Sequence, residues 1–311
     1  MMKRTLCLLL ALILCVGGVS LLAACGDSSD DGKPSEGSDV VKVIDIALTE
    51  EEYAFAVQKG DAEMLASLNA FMAEIKENGK FDEIIGKYFQ DGIPTPVTSA
   101  ATMKTDGSQL IVATNAAFEP FEYMKGENYY GVDMEIMALF AEHLGKELYI
   151  NNMEFDAVCL SVSAAGGTYE DENGNEVAVS GGVCDVAAAG LTVSDTRKEI
   201  LDFTDSYYNA SQMLIVAADD TTFDGCKTAS EVETILGGFD SKVNVGVQNG
   251  TTGQKYCQGD ADWEFDGFAF TTKGYSNGAL AVQDILNGGC DYVVIDEGPA
   301  KAIVSRVNAA N

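Results

Sequence analysis

From Leu110 onward the chain repeats one unit, a short apolar run bounded by turn residues and followed by an amphipathic stretch of 3.6-residue spacing. "LIVAT" (Leu110–Thr114) precedes a helix capped by Asp133 that carries Ile136, Leu139, Phe140 and Leu144. "LYINNM" precedes a helix opening at Phe155 and Asp156, and "CDVAAAGLT" reads as a further strand. A second series runs "MLIVAA", "VNVGVQ", a helix after "NGTTG", "FAFTT", a helix from Ser276 to Leu286, and "CDYVVID". Such alternation predicts an α/β architecture, a largely parallel sheet covered by helices. "GGVCDVAAAG" and "NGGCDYVVID" fall at matching places in the two series, so two similar lobes are expected. A length of 311 residues accommodates both, at roughly 100–200 residues per domain.

The segment before Leu110 has a different grammar. "VVKVID" and "YAFAV" (Tyr53–Val57) read as strands. Asp61 caps a helix whose apolar residues Met64, Leu65, Leu68, Phe71, Met72 and Ile75 follow the helical period, and Asn78-Gly79 stops it. Phe81, Ile84, Ile85, Tyr88 and Phe89 form a second amphipathic piece that reads like the end of a domain. Residues 93–108, with two prolines nearby and little apolar content, predict a flexible linker.

Residues 1–24 read as a targeting leader: Lys3 and Arg4, then the apolar run "LCLLLALILCVGGVSLL". Its end, Leu22-Ala23-Ala24-Cys25, resembles the bacterial lipobox, in which the cysteine is lipidated after cleavage. Acyl chains contribute roughly 0.8 kcal/mol per buried methylene, so a lipid-anchored protein is expected, tethered by the polar residues 25–39. The formal net charge of −30 excludes nucleic-acid binding, which needs clustered cations. It equally excludes electrostatic docking on anionic lipid.

Eight cysteines are present; Cys7 and Cys15 leave with the leader and Cys25 takes lipid. Cys159, Cys184, Cys226, Cys257 and Cys290 remain, an odd number without C-x-x-C spacing, which speaks against a zinc site or a full disulfide framework. A Cys159–Cys184 pair stays open. Asn173-Gly174 marks a hairpin inserted at residues 166–182. Its alternating Asp171, Asn173 and Asn175 would suit calcium, but Glu176 stands where an EF-hand loop needs glycine. Phe265 breaks the same pattern in "GDADWEFDG". No H-E-x-x-H or P-loop occurs, and the single histidine, His143, sits near the end of a helix, where a structural role is expected. No cofactor is implied.

"LIVATNAAFEPFEYMKGENYYGVDMEIMALFAEHLGKEL", "MEFDAV", "CDVAAAGLTVSDTRKEILDFTDSYY", "VNVGVQNGTTG" and "CDYVVIDEGPA" together resemble the polar amino-acid-binding proteins of bacterial ABC importers. The stretch Thr192–Tyr208 is the most specific piece, and the resemblance spans almost all of residues 40–311. It implies a type II periplasmic-binding-protein fold of two lobes. It also implies a ligand site for a free amino acid. Arg197 matches the arginine that grips the α-carboxylate, a bidentate task. Backbone N–H groups near Thr251 and Thr252 would hold the same group. Asp296 matches the acid that pairs with the α-ammonium, helped by the Gly190 carbonyl and the Thr192 hydroxyl. Phe118 and Phe155 match the apolar faces that sandwich the side chain, and Gln248 a variable wall position.

Each has a plainer reading: Arg197 as a surface helix start, Asp296 as a strand-end cap, the phenylalanines as core, Gln248 as surface, and Gly190, Thr192 and "NGTTG" as turn chemistry. Asn115 departs from basic- and glutamine-binding relatives, which carry aspartate there. An amide does not neutralise a buried cation, so the expected ligand is an amino acid with a neutral side chain.

That family normally ends with a segment like Tyr53–Phe89, which here comes first. A circular permutation is therefore expected, with residues 93–108 rejoining the old ends. Lobe 1 would be residues 49–208 and lobe 2 residues 40–48 and 209–311. Two crossing strands, near "DIALTEEE" and "TDSYYNASQ", would form the hinge. The function so implied is that of a monomeric solute-binding receptor, not an enzyme, on the extracellular face of the membrane or in the periplasm, serving an ABC permease. An enzyme resembling the cyclohexadienyl dehydratases, or an amino-acid sensor, are the alternatives.

Overall fold

The computed structural model describes residues 38–171 and 173–311. The leader, Cys25 and the tether up to residue 37 lie outside the described residues. No described helix is long and apolar enough to cross a membrane.

The first strand, β1 (Val41–Ile44), follows the sequence reading. "YAFAV", read as one strand, is interrupted between β2 (Glu51–Tyr53) and β3 (Ala56–Gln58), because the two serve different sheets. Asp61 does cap α1 (Ala62–Glu77), accepting from the Met64 amide at 3.0 Å. The α1 face that turns inward carries Leu68, Phe71, Met72 and Ile75, each worth about 1.5–3 kcal/mol when buried. Gly79, at φ +79°, reverses the chain into α2 (Lys80–Phe89).

Residues 93–108 lie fixed along the protein rather than free of it. Val97 exchanges backbone hydrogen bonds with Tyr129 (2.8 and 3.0 Å), the Thr95 amide donates to Glu135 (2.9 Å), and the Ala100 amide to the Leu148 carbonyl (2.8 Å).

Next come β4 (Gln109–Thr114), a small meander of β5 (Ala117–Phe118), β6 (Glu122–Lys125) and β7 (Asn128–Tyr130), and α3 (Val132–His143). Here a sequence expectation fails: Asp133 is not the cap of α3. Gly131 holds that position without any side-chain bond, and the Asp133 carboxyl turns inward to accept from the Gly190 amide (3.0 Å) and the Tyr207 hydroxyl (2.6 Å). β8 (Glu147–Asn152) and α4 (Phe155–Val162) follow, then the expected hairpin, β9 (Gly167–Glu170) with β10 (Glu176–Val179). Of "CDVAAAGLT" only β11 (Val186–Ala187) pairs as a strand. α5 (Asp195–Lys198), β12 (Leu201–Phe203) and β13 (Tyr208–Ala210) complete this half.

The second half comprises β14 (Gln212–Ala217), α6 (Ala229–Leu236), β15 (Asn244–Gln248), α7 (Thr252–Gln258), β16 (Thr271–Tyr275), α8 (Gly278–Leu286), β17 (Tyr292–Asp296) and α9 (Glu297–Ala309). "FAFTT" does not form the expected strand. Phe268 and Phe270 stack at 5.1 Å on each other and bury against the core, so pairing starts only at Thr271.

Among the described residues the strands build two five-stranded sheets, β12-β3-β11-β4-β8 and β1-β14-β17-β15-β16. β4 is parallel to β8 and β11, and β15 to β16 and β17; β3, β14 and β1 introduce antiparallel pairs. Each sheet is the centre of one lobe. The chain passes between lobes along β2 and β13, which pair antiparallel with Tyr53 opposite Tyr208. Aromatic rings fasten this crossing: Tyr53 and Tyr208 lie 5.0 and 4.9 Å from Phe121, and Phe89 at the end of α2 stacks on Tyr208 at 5.3 Å.

Candidate ligand-binding site

Parallel strands of both lobes point their carboxyl ends at one another, the usual place for a ligand in an α/β sheet. A cavity of about 10 Å³ remains between them, room for roughly one water molecule. Phe118, Phe155, Gly190, Thr192 and Arg197 line it from one lobe. Thr251, Thr252 and Asp296 line it from the other. Eight of the ten residues expected from sequence therefore share one cavity, drawn from positions 118 to 296. In this closed arrangement an amino acid enters only if the walls part.

Arg197 is positioned by the short helix α5, whose cap Ser194 accepts from the Arg197 amide at 3.2 Å. Its guanidinium is buried, donates to the Thr192 carbonyl (2.7 Å) and, across the lobes, to the Gly250 carbonyl (3.2 Å), and lies 5.4 Å over the Phe155 ring. Among the described residues no carboxylate forms an ion pair with it. A guanidinium carries five N–H donors, so this cation has capacity left for an incoming carboxylate.

Asp296 ends β17 on the opposite wall. The Tyr53 hydroxyl donates to it, and its carboxyl is pushed up to about 7. Burial is the main cause and the neighbouring Glu51 charge adds to it, while the Tyr53 bond opposes the shift. An ammonium placed here would remove the penalty of charging Asp296.

Thr192 does not simply face the cavity. Its hydroxyl donates to Glu51 (2.7 Å), and Glu51 also accepts from Thr49 (2.7 Å) and from the Gln212 side-chain amide (3.0 Å). Glu51, Tyr53 and Gln212 were not anticipated as site residues. Two of them sit on crossing strand β2, and the sequence signal was an acid cluster, "EEEY", within a strand that has to traverse the interior.

Glycine is required at two points of the wall. Gly190, at φ +51°, lets the Phe118 ring approach, since a Cβ there would lie 2.8 Å from that ring. At Gly250, φ +72°, a Cβ would lie 2.3 Å from the Asp156 carboxylate. Asp156 is itself pushed up to about 6 by burial and by Glu154.

Asn115 and Gln248, the remaining expected residues, are buried, do not line the cavity, and bond to each other through their side chains. The Gln248 side-chain amide donates to Asn115 Oδ1 at 3.0 Å, and Asn115 donates to the Met153 carbonyl at 2.7 Å.

Cys159 and Cys184 are free thiols, as are Cys226, Cys257 and Cys290. His143 stands beside the Phe71 and Phe140 rings (5.2 and 6.4 Å), outside the cavity. No metal-binding cluster occurs among the described residues. A wider groove of about 860 Å³ runs beside the crossing strands and shares only Thr192 with the cavity. Its basic lining residue, Lys198, is half exposed and already paired with Asp195 at 3.0 Å, so a ligand carboxylate is better served by Arg197.

Residues 110–165 and 171–304 match the model of the bacterial extracellular solute-binding proteins, family 3. The chain belongs to that family. The break in the match coincides with the start of the hairpin. Among curated relatives, the arginine-binding extracellular protein ArtP of Bacillus subtilis (strain 168) is 29% identical over 111 residues, 36% of this chain and 37% of that protein. A probable histidine-binding protein of Neisseria gonorrhoeae is 26% identical over 203 residues, 64% of this chain and 62% of that protein. The chain thus spans less than two thirds of either relative. A solved structure of an ancestral arginine-binding protein bound to arginine superposes with a TM-score of 0.50 at 26% identity, covering 64% of this chain and 74% of that one. The family is thus one of amino-acid-binding, extracellular solute-binding proteins with a two-lobed fold.

Proposed function

We propose that this protein is a receptor that captures one free amino acid between its lobes and delivers it to an ABC importer, without catalysing a reaction. The observation that carries this reading is the cavity itself, with a buried arginine lacking a carboxylate partner on one lobe and a buried, charge-averse aspartate on the other. Such a pair is complementary to the two ends of a zwitterion. The α-carboxylate would take the free donors of Arg197, with Thr251 and Thr252 opposite. The α-ammonium would sit at Asp296, with Thr192 and Gly190 nearby, and Phe118 and Phe155 would flank the side chain. Because the two charged groups belong to different lobes, ligand stabilises the closed form through contacts that only closure completes.

The relatives are named for arginine and histidine, which supports an amino acid as ligand class. Asn115 and Gln248 favour a neutral side chain. We take residues 1–24 as the leader and Cys25 as the lipid-bearing residue that holds the receptor outside the cytoplasmic membrane. We also read the chain as circularly permuted: β3 lies inside the sheet of the first lobe although the family match begins only at residue 110. Moving residues 40–92 behind residue 311 should then give a folded protein of unchanged ligand preference, and loss of folding would refute the permutation.

A thermal-shift screen of the twenty amino acids tests the function, since a ligand that binds only the native state raises its apparent stability. One or a few amino acids should shift the transition, and a silent screen would overturn the proposal. Labelled palmitate should be incorporated by wild type and not by Cys25→Ala.

A further inference from the structure

Apart from the cleft, α6, α7 and the loop between α7 and β16 enclose a cavity of about 510 Å³, a usual size for a small-molecule site. It shares no lining residue with the cavity between the lobes. Its aromatic walls are Tyr256 of α7 and Trp263, Phe265 and Phe268 of the loop. The rings meet at angles rather than in a stack. Phe265 stands edge-on to Phe268 at 5.1 Å, and Tyr256 lies 5.5 Å from Phe268 and 6.5 Å from Phe265. Tyr256 and Phe268 pack into the hydrophobic core of this lobe, whereas Trp263 and Phe265 join none of the cores among the described residues. Core packing therefore does not account for these two outer rings. The loop nevertheless holds them in place: the Asp260 amide donates to the Phe265 carbonyl (2.9 Å) and the Phe265 amide to the Asp260 carbonyl (3.2 Å). Between the two rings Glu264 takes φ +50°, the one positive φ outside glycine among the described residues. Backbone outliers of this kind gather at ligand-holding sites.

One charged residue, Glu233 of α6, lines this cavity. It forms no ion pair among the described residues, and the Tyr256 hydroxyl donates to it at 3.3 Å. No lysine, arginine or histidine lines the wall, so an anion finds no counter-charge there. A metal ion needs more oxygen ligands than one carboxylate supplies, and no metal-binding cluster occurs among the described residues. A neutral apolar guest would cover the carboxylate without pairing it. A primary ammonium brings three N–H groups and tight hydration to walls that are mainly aromatic. A fully methylated ammonium has no N–H group to satisfy, and its charge is attracted both to ring faces and to Glu233.

From this complementarity we infer that the cavity is a second binding site, for a methylated ammonium group of the choline type. Tyr256, Trp263, Phe265 and Phe268 cage the cation and Glu233 neutralises it. The inference is independent of the amino-acid reading of the cleft.

Trp263 is the one tryptophan of the chain, so its fluorescence reports on this site directly. The full-length protein is titrated with choline, with glycerophosphocholine, with ethanolamine, and with tert-butylethanol, the uncharged carbon isostere of choline. Choline or glycerophosphocholine should give a saturable change at least about 10-fold tighter than ethanolamine and tert-butylethanol, as a desolvated cation in an aromatic cage requires. Tighter binding of choline would name a free small molecule as the source, and tighter binding of glycerophosphocholine a lipid headgroup. Phe265→Ala and Glu233→Gln should each weaken the response by about 2- to 30-fold, the range for one cation–π contact, while leaving the thermal shift by amino acids unchanged. Tert-butylethanol or ethanolamine binding as tightly as the better choline compound would overturn the inference, as would the lack of any saturable response to both. Either failure leaves the amino-acid receptor intact. If the variants fail to fold, the wild-type ranking decides alone.

Discussion

The guanidinium of Arg197 donates to the carbonyl of Gly250 across the cleft at 3.2 Å, so this buried cation ties one lobe to the other. Arg197→Ala should abolish the ligand-induced thermal shift and weaken binding at least about 100-fold, as expected for a lost charge-assisted bidentate pair. Arg197→Lys should recover little, because an ammonium does not reproduce the planar fork. Calorimetry checks both, and circular dichroism checks that the fold survives. Wild-type affinity in either variant would remove Arg197 from the site.

Asp296 supplies a pH dependence. Its carboxyl titrates near about 3.9 in the unfolded chain and at about 7 in the folded protein. The folded state therefore holds a proton that the unfolded state has released over that interval. The resulting stability is present below about pH 4 and lost as pH rises through about 7. Asp133, also raised to about 7 by burial, acts in the same sense. Urea unfolding of ligand-free Asp296→Asn between pH 4.5 and 7.5 should fall less with pH than wild type. A ligand ammonium favours ionised Asp296, so binding near pH 6.5 should release protons, seen as a buffer-dependent binding enthalpy in wild type only.

Glu122 is fully buried and neither carboxyl oxygen has a hydrogen-bond partner. Burial, with the charges of Asp133 and Asp296 beside it, holds its carboxyl well above the ordinary range. Methionine has a similar chain length and no hydrogen-bonding group that must be satisfied. Glu122→Met should therefore raise stability by about 1–3 kcal/mol at pH 7.5, read from the urea midpoint. A lower midpoint would show that Glu122 is bonded in solution.

At Gly250, alanine would have to adopt φ +72° and press on Asp156. Gly250→Ala should cost about 1–3 kcal/mol and weaken ligand binding by opening the cleft. Asp156→Ala in the same chain should restore part of both losses, a coupling that a double-mutant cycle measures.

The parallel-sheet grammar was legible because buried strands are short apolar runs and their covering helices keep a 3.6-residue period. Cavity residues such as Arg197, Asp296 and Thr192 were legible through resemblance, since nothing local distinguishes them from surface residues. Asp133 was misread for a physical reason. An aspartate before an apolar helix is ordinarily a cap, whereas here its carboxyl is drawn inward by Tyr207 and Gly190, which lie at least 57 positions away. The same limit hid the Glu51–Thr192–Gln212 network, because only the folded crossing strand brings those residues together. Helix α6 was overlooked although its capping box, Thr228 with Glu231, was readable in sequence.

In the proposed complex Arg197 and Asp296 hold the two charged ends of one amino acid. Calorimetry with the preferred L-amino acid, its α-amide and its N-acetyl derivative tests this most directly, since each derivative deletes one end and keeps the side chain. The free amino acid should bind with micromolar affinity, about −8 kcal/mol, and each derivative at least about 100-fold more weakly. Equal affinity for all three would show that neither charged end of the ligand is held by Arg197 or Asp296.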